Sequence, residues 1–441
     1  MSPRPFPAAP DAAPAARGAA HRWRVLSVGV LANVAFSAAA TGIPTTAIWL
    51  RGAYRLDNGA LGLVLGALGL GAALFELPWG IAADRWGDRR VLLTGLAAMT
   101  ALLVAMALLV VPRGASIPPL APLAAAMALV GLTGGSVNGA SGRAVMRWFG
   151  DHERGLAMSI RQTAVPLGGG LGAALLPPLA STAGFAAVYG ALAAAGAVAA
   201  ALTWRWLHEP GDDAVATTGS AGAGGTVGTA GAGGPLRDPV IGRFVLGIGL
   251  LCVPQSAILA FATVFLHDFA GFGAVPIGVV MVTIQLGAMI LRVWSGRATD
   301  RLGNRRAYVR GVTRLAAGLF VLLALATLAA ASRPSGTSFA VVAVLLVAAG
   351  IGVSAWHGVG YTELATLAGA ARAGTALGMA NTMVYTGFFV TPLAIPALLA
   401  RGSWGLVWFI AAAVALLAYP CFPRPPRELA APLRQRAGRG A

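Results

Sequence analysis

The sequence predicts an all-α membrane protein in which twelve transmembrane helices form two pseudo-symmetric six-helix bundles. Composition is the first reason: the 441 residues are 57% hydrophobic and 11% charged, too little charge to cover a soluble surface of this size. The second is patterning, because the apolar residues fall into twelve runs of the roughly 20 residues that cross about 30 Å of hydrocarbon. The third is a repeat. The eleven residues 80–90, Gly80-Ile-Ala-Ala-Asp84-Arg85-Trp-Gly87-Asp-Arg89-Arg90, return 216 positions later at 296–306 as Gly296-Arg-Ala-Thr-Asp300-Arg301-Leu-Gly303-Asn-Arg305-Arg306. Seven positions match, and six of those are glycines or charges, which apolar composition does not generate by accident.

In chain order, the first 22 residues are rich in Pro, Ala and Arg and read as a disordered cytoplasmic tail, without the short apolar core of a signal peptide. The runs follow at 23–49, 59–80, 91–112, 119–141, 155–181 and 183–206, giving an N-terminal six-helix bundle over 23–208. The turn at Ser181–Gly184 is the least marked. Residues 209–240 are mostly Gly, Ala and Thr, bury nothing, and read as a flexible cytoplasmic linker. A second bundle over 241–422 takes the runs 241–267, 275–296, 309–331, 338–362, 374–400 and 403–422, and a basic cytoplasmic tail fills 423–441.

The formal charge of +17 suggests a nucleic-acid partner only until the charges are located. All 32 basic residues are arginine; 25 lie in the tails and even-numbered connections and five on the opposite side. That bias places both termini in the cytoplasm and makes the charge a topology signal. Cys252 and Cys421 lie far apart in apolar runs and offer neither a disulfide framework nor a metal site, so no cofactor or metal is expected.

A second repeat ties the halves together. Gly155, Ala157, Gln162, Thr163 and Pro177 recur 219 positions later as Gly374, Ala376, Asn381, Thr382 and Pro396. Two related halves, each with the same basic Gly/Asp turn, resemble the bacterial twelve-helix carriers of the major facilitator superfamily, from about residue 23 to about residue 422. Span five's Arg161-Gln162-Thr163-x-x-Pro166-x-Gly-Gly run also has a short likeness to cyanate and nitrate carriers, and its Pro166–Gly170 stretch partly echoes the drug-exporting branch.

The resemblance implies a secondary transporter of the bacterial cytoplasmic (inner) membrane, functioning as a monomer by alternating access, with a small-molecule substrate. It also implies that the turn residues gate the cytoplasmic side: Gly80, Asp84, Arg85, Gly87, Arg89 and Arg90, and Gly296, Asp300, Arg301, Gly303, Arg305 and Arg306. Gly80 and Gly296 are expected to let a neighbouring helix approach closely. Asp84 is expected to meet the start of span eleven near Gly374, and Asp300 the start of span five near Gly155, when the cavity faces outward. The alternative is that these arginines are topology signals alone. Asp88 in the first copy weakens the local positive charge.

Charges within spans cost about 2.5–3.5 kcal/mol each at a helix centre, so they are functional candidates. Arg161, beside Gln162, is suited to holding a carboxylate or another oxyanion, with snorkelling or bracing as the alternative. Arg292 and its repeat equivalent Glu76 fit a cytoplasmic bracing role, their opposite signs also suiting state-dependent pairs. His357 is the candidate carrier of a coupling proton, against the alternative of a histidine hydrogen-bonded between helices; its neighbour Trp356 stacks on a substrate or packs. Asn33, Asn138, Gln255 and Asn381 complete the cavity candidates, with Ser37, Thr41, Ser136 and Ser256 as further neutral groups. No mid-membrane acid appears in spans one, four, seven or ten, which favours a small organic anion or polar neutral solute, moved with or without protons. Export of drugs or metabolites is the runner-up. A membrane-embedded sensor is the alternative from another class. Nothing resembles the nucleophile–base pair or ligand cluster of an intramembrane enzyme.

Overall fold

The structure, a computed structural model, describes residues 20–149, 151–208, 237–369 and 373–424. Nearly all of the expected N-tail, most of the linker and nearly all of the C-tail lie outside the described residues. Among the described residues twelve helices are long and apolar enough to cross a membrane, each overlapping one predicted run. They are span 1 (His21–Ala53), span 2 (Asn58–Ala83), span 3 (Asp88–Leu109), span 4 (Leu120–Val145), span 5 (Ala157–Thr182) and span 6 (Gly184–Trp206), then span 7 (Pro239–Asp268), span 8 (Ala274–Leu302), span 9 (Arg305–Ser332), span 10 (Gly336–Ala368), span 11 (Thr375–Leu399) and span 12 (Trp404–Cys421). An even number puts both described ends on one side, here the terminal side; the other is the far side. Leu74, Leu109, Val275 and Ile290 are exposed along the spans, as lipid-facing side chains are.

Local chemistry sets the element ends. Span 7 starts where the Asp238 carboxylate accepts from the amides of Val240 and Ile241, with Pro239 in the first helical position. Span 10 starts on a capping box between Ser335 and Ser338. The matched glycines Gly87 and Gly303 both take positive φ, 85° and 62°, so the repeat encodes a backbone reversal that a side chain would strain. The weakly marked turn after span 5 is where the sequence placed it, with a single residue, Ala183, between the helices.

Several spans are interrupted near mid-depth. Span 4 consists of helices Leu120–Gly134 and Ser136–Trp148 joined at Gly135. Its counterpart, span 10, breaks between Ser354 and His357. Span 5 breaks at Thr163, just after Arg161 and Gln162. The joining residues Gly135, Thr163, Ala355 and Trp356 keep right-handed helical angles, so these are local distortions within continuous spans.

The halves meet chiefly through span 2 against span 11 and span 5 against span 8, two contacts related by the internal repeat. Span 2 lies so close that a methyl at Gly62, Gly66 or Gly69 would collide with the main chain of Pro392, Phe389 or Phe388. Gly168 packs in the same way on Val34 of span 1, and Gly169 on the Gln285 side chain of span 8. The glycines after Pro166 are thus accounted for by helix packing. On the far side, the Arg51 guanidinium grips the Asp268 carboxylate with both terminal nitrogens, at 2.5 and 2.6 Å, joining span 1 to span 7. Tight packing and a bidentate ion pair close the far side.

Candidate functional site

The helix breaks collect the polar residues. Past the Gly135 break, Asn138 and Ser141 project from span 4 one turn apart. The Ser141 hydroxyl receives the Asn33 amide at 2.9 Å and Arg161 Nε at 3.0 Å, and a second Arg161 nitrogen donates to the Asn138 carbonyl at 2.6 Å. Arg161 is buried and turned onto span 4, with Glu76 within electrostatic reach. The Asn138 side-chain amide then crosses the seam and donates to the Tyr385 hydroxyl at 2.7 Å.

Glu76 is 4% exposed. Its Oε1 accepts from the Asn381 amide of span 11 at 2.8 Å, and the Asn381 carbonyl accepts from the Tyr361 hydroxyl of span 10 at 2.8 Å. Glu76 Oε2 has no hydrogen-bond donor among the described residues. Gly135 of span 4 lies beside it, where a β-carbon would make an ordinary 3.5 Å contact with Oε2. Glu76 thus lies at an inter-half seam, as the state-dependent reading of its charge anticipates, and it adds a carboxylate from span 2 to a polar centre for which none was expected.

Arg292 is the corresponding charge of the other half. It is 5% exposed and reaches across the opposite seam to the main-chain carbonyl of Gln162 at 3.3 Å. That carbonyl is free for a reason written in the sequence. Its helical partner four residues on would be Pro166, which has no N–H. The Gln162 side chain takes no part in this contact.

In the second half, Gln255 donates to the Ser354 hydroxyl at 3.3 Å. His357 Nδ1 lies 3.2 Å from the Ser354 carbonyl, and its ring stacks on Trp356 at 3.8 Å between centroids. Trp356 is fully buried, so here it packs. Both His357 and Tyr361 lie within electrostatic reach of Arg292.

The contacts expected of the repeated turns belong to the outward-facing state, and this structure has its far side closed. A β-carbon on Gly80 would meet nothing within 4 Å and one on Gly296 only Ser159 Oγ at 3.8 Å, while a β-carbon on Gly139 of span 4 would lie 3.9 Å from the Gly80 Cα. Asp300, half-exposed, pairs with Arg305 of its own turn at 2.6 Å. The Asp84 side chain, Gly155 and the Gly374 side of its expected contact lie outside the described residues. Arg85, Arg90 and Arg301 are exposed, while Arg89 donates to the Trp204 carbonyl at 2.7 Å. Asp88 does more than dilute charge: it is buried and accepts from Arg143 of span 4 at 2.6 Å. In the second half, Arg306 of the turn pairs with Glu363 of span 10 at 2.6 Å. Each turn is tied to the fourth span of its half, with the signs of the partners exchanged.

Sequence reasoning missed Ser141, Tyr361 and Tyr385. Each follows a singled-out residue by three or four positions (Asn138, His357, Asn381), the spacing of one helix face, which was the available signal.

Two repeat-related helical halves around a buried polar seam are the architecture of a membrane carrier. The family model for the Major Facilitator Superfamily matches residues 29–331, and the chain belongs to that superfamily. An uncharacterized MFS-type transporter of Mycobacterium tuberculosis is 28% identical over 407 residues, 92% of this chain and 86% of that one. A probable anion transporter of Arabidopsis thaliana is 30% identical over 173 residues, 39% of this chain and 38% of its own. Among solved structures, the xylose transporter of E. coli in a partially occluded inward-open conformation superposes with a TM-score of 0.70 at 14% identity, covering 91% of this chain and 97% of that chain. The human organic anion transporter MFSD10 gives 0.63 at 17% identity, covering 91% and 99%.

Proposed function

We propose that the chain is a secondary transporter of a small organic solute, an anion or polar neutral molecule, with its site at the seam where spans 2, 4, 5, 8, 10 and 11 converge. The carrying observation is the buried network in which Glu76 and Arg161 of one half face Asn381, Tyr361 and Arg292 of the other. A solute inserted there contacts both halves at once, which alternating access requires. The names of the two anion transporters above favour an anion; the sugar carrier keeps a neutral solute in view. The arginine bias supports termini in the cytoplasm of a bacterial cell, and the resemblance supports a working monomer.

Coupling to protons belongs to the same proposal, with Glu76 and His357 as the titratable groups of the seam. Export is the second reading, favoured by one observation: Arg161 is turned onto span 4 and already hydrogen-bonded there. The test is accumulation of labelled organic anions and neutral solutes in proteoliposomes under an imposed pH gradient. Gradient-driven movement of one solute class is expected. Saturable binding with no movement of any bound solute would overturn the transporter reading in favour of a sensor.

A further inference from the structure

Two buried guanidiniums occupy the seam, and only one of them is accommodated by the protein. Arg161 has the Ser141 hydroxyl at 3.0 Å, the Asn138 carbonyl at 2.6 Å and the Glu76 carboxylate within electrostatic reach. Arg292 is equally buried, at 5% exposure, yet has one long hydrogen bond, 3.3 Å, to the Gln162 carbonyl. Its Nε has no acceptor, and no carboxylate pairs with it among the described residues. A buried, unpaired charge is unfavourable enough that proteins normally supply a partner. Here the described residues supply none.

The surroundings say what fits. His357 and Tyr361 lie within electrostatic reach of Arg292, and Trp356 stacks on His357. Trp356 Nε1 is a second buried donor without an acceptor. The unsatisfied Arg292 Nε–H, with the His357 and Tyr361 rings nearby, suits an acceptor-only group attached to an apolar or aromatic body. With Arg161 and Arg292 set against Glu76, one positive charge is left over, matching a single negative charge on the ligand. A guanidinium's planar fork matches the two oxygens of a carboxylate.

We propose that Arg292, rather than Arg161, is the substrate-anion recognition residue, and that the ligand is a small organic monocarboxylate taken up by the Arg292 guanidinium at the seam with Gln162. This rests on the transporter reading and assigns its substrate class. It also reverses the roles that sequence alone gives the two arginines: Arg161 organises the site through Ser141 and Asn138, and Arg292 meets the ligand.

The test is thermal unfolding of the full-length, detergent-solubilised protein with benzoate, phenylacetate and lactate. The matched neutral amides and sodium chloride at equal ionic strength serve as references. At least one carboxylate is expected to raise the melting temperature in a dose-dependent way that its amide does not reproduce. The shift should vanish in Arg292→Gln, weaken in Arg292→Lys, which keeps the charge but loses the fork, and persist in Arg333→Gln, an exposed arginine on the far side. Arg292→Lys also guards against Arg292→Gln failing to fold. A carboxylate shift that survives in Arg292→Gln overturns the assignment. Stabilisation of the wild type by amides alone, or by no probe, also overturns it. Solute movement in proteoliposomes would still decide the transporter reading separately.

Discussion

Glu76 and Arg292 occupy equivalent positions in the two halves, and each reaches across a seam to one member of a second equivalent pair, Asn381 and Gln162. The pseudo-symmetry is kept in geometry and broken in charge and chemistry. An acid meets a side-chain amide at one seam, and a base meets a main-chain carbonyl at the other. The two seams therefore answer differently to mutation.

Asn381→Leu removes a donor to Glu76 and an acceptor from Tyr361, leaving two buried polar groups without partners at about 1–3 kcal/mol each. Gln162→Ala leaves the carbonyl used by Arg292 in place and should stay within about 0.5 kcal/mol of wild type, as substitutions away from such features do. Melting temperatures of the two variants should separate clearly. Equal losses would refute the assignment of main-chain and side-chain roles.

The Arg51–Asp268 pair closes the far side. Either Arg51→Gln or Asp268→Asn should widen the distance between the far-side ends of spans 1 and 7, read by spin-label distance distributions. The double variant should add little to either single one, because both remove the same contact. The pair is partly exposed, with side chains 24% and 30% accessible, so its contribution is of the order of 1 kcal/mol, enough to shift a population severalfold. An unchanged distribution in both single variants would deny the pair a latching role.

The repeated turns hold an asymmetric pair of acids. Asp88 is buried against the partly exposed Arg143, and its replacement by Ala should cost roughly 1–3 kcal/mol, as for a lost hydrogen bond to a charged group. Asp300 is paired within its own exposed turn, so Asp300→Ala should cost about 1 kcal/mol or less. Urea or thermal unfolding of both variants decides the matter; a larger loss at Asp300 would contradict the burial argument.

Gly80 provides the test of gating. Open space beyond it predicts that Gly80→Leu folds with an unchanged melting temperature. If the opposite state brings another helix against this glycine, the same variant should slow solute movement at least tenfold while leaving binding intact. Wild-type turnover in Gly80→Leu would remove the gating role from this position.

The sequence made the spans, their order and the relation between halves readable, because length, hydropathy and the Gly/Asp/Arg repeat are local signals. It singled out Arg161, Asn138 and Asn381 as cavity candidates, and these residues hydrogen-bond within one network. It left the partners of Glu76 and Arg292 unnamed, because distance along a span from its end says little about which helix faces the side chain. The far-side ion pair was invisible for a related reason: Arg51 and Asp268 are 217 residues apart, and only the docking of the halves brings them together. The repeat glycines had a detectable role of a different kind, since Gly87 and Gly303 shape a turn and Gly80 and Gly296 leave space.

The carbonyl at Gln162 is available to Arg292 because the residue one turn later is Pro166. The information that joins these halves is thus stored away from the contact it creates. Any side chain at 162 presents the same oxygen, whereas an ordinary amino acid at 166 would restore an amide that competes for that oxygen and weakens the junction without altering either residue that forms it. One proline ring brings about a bond in which it takes no part.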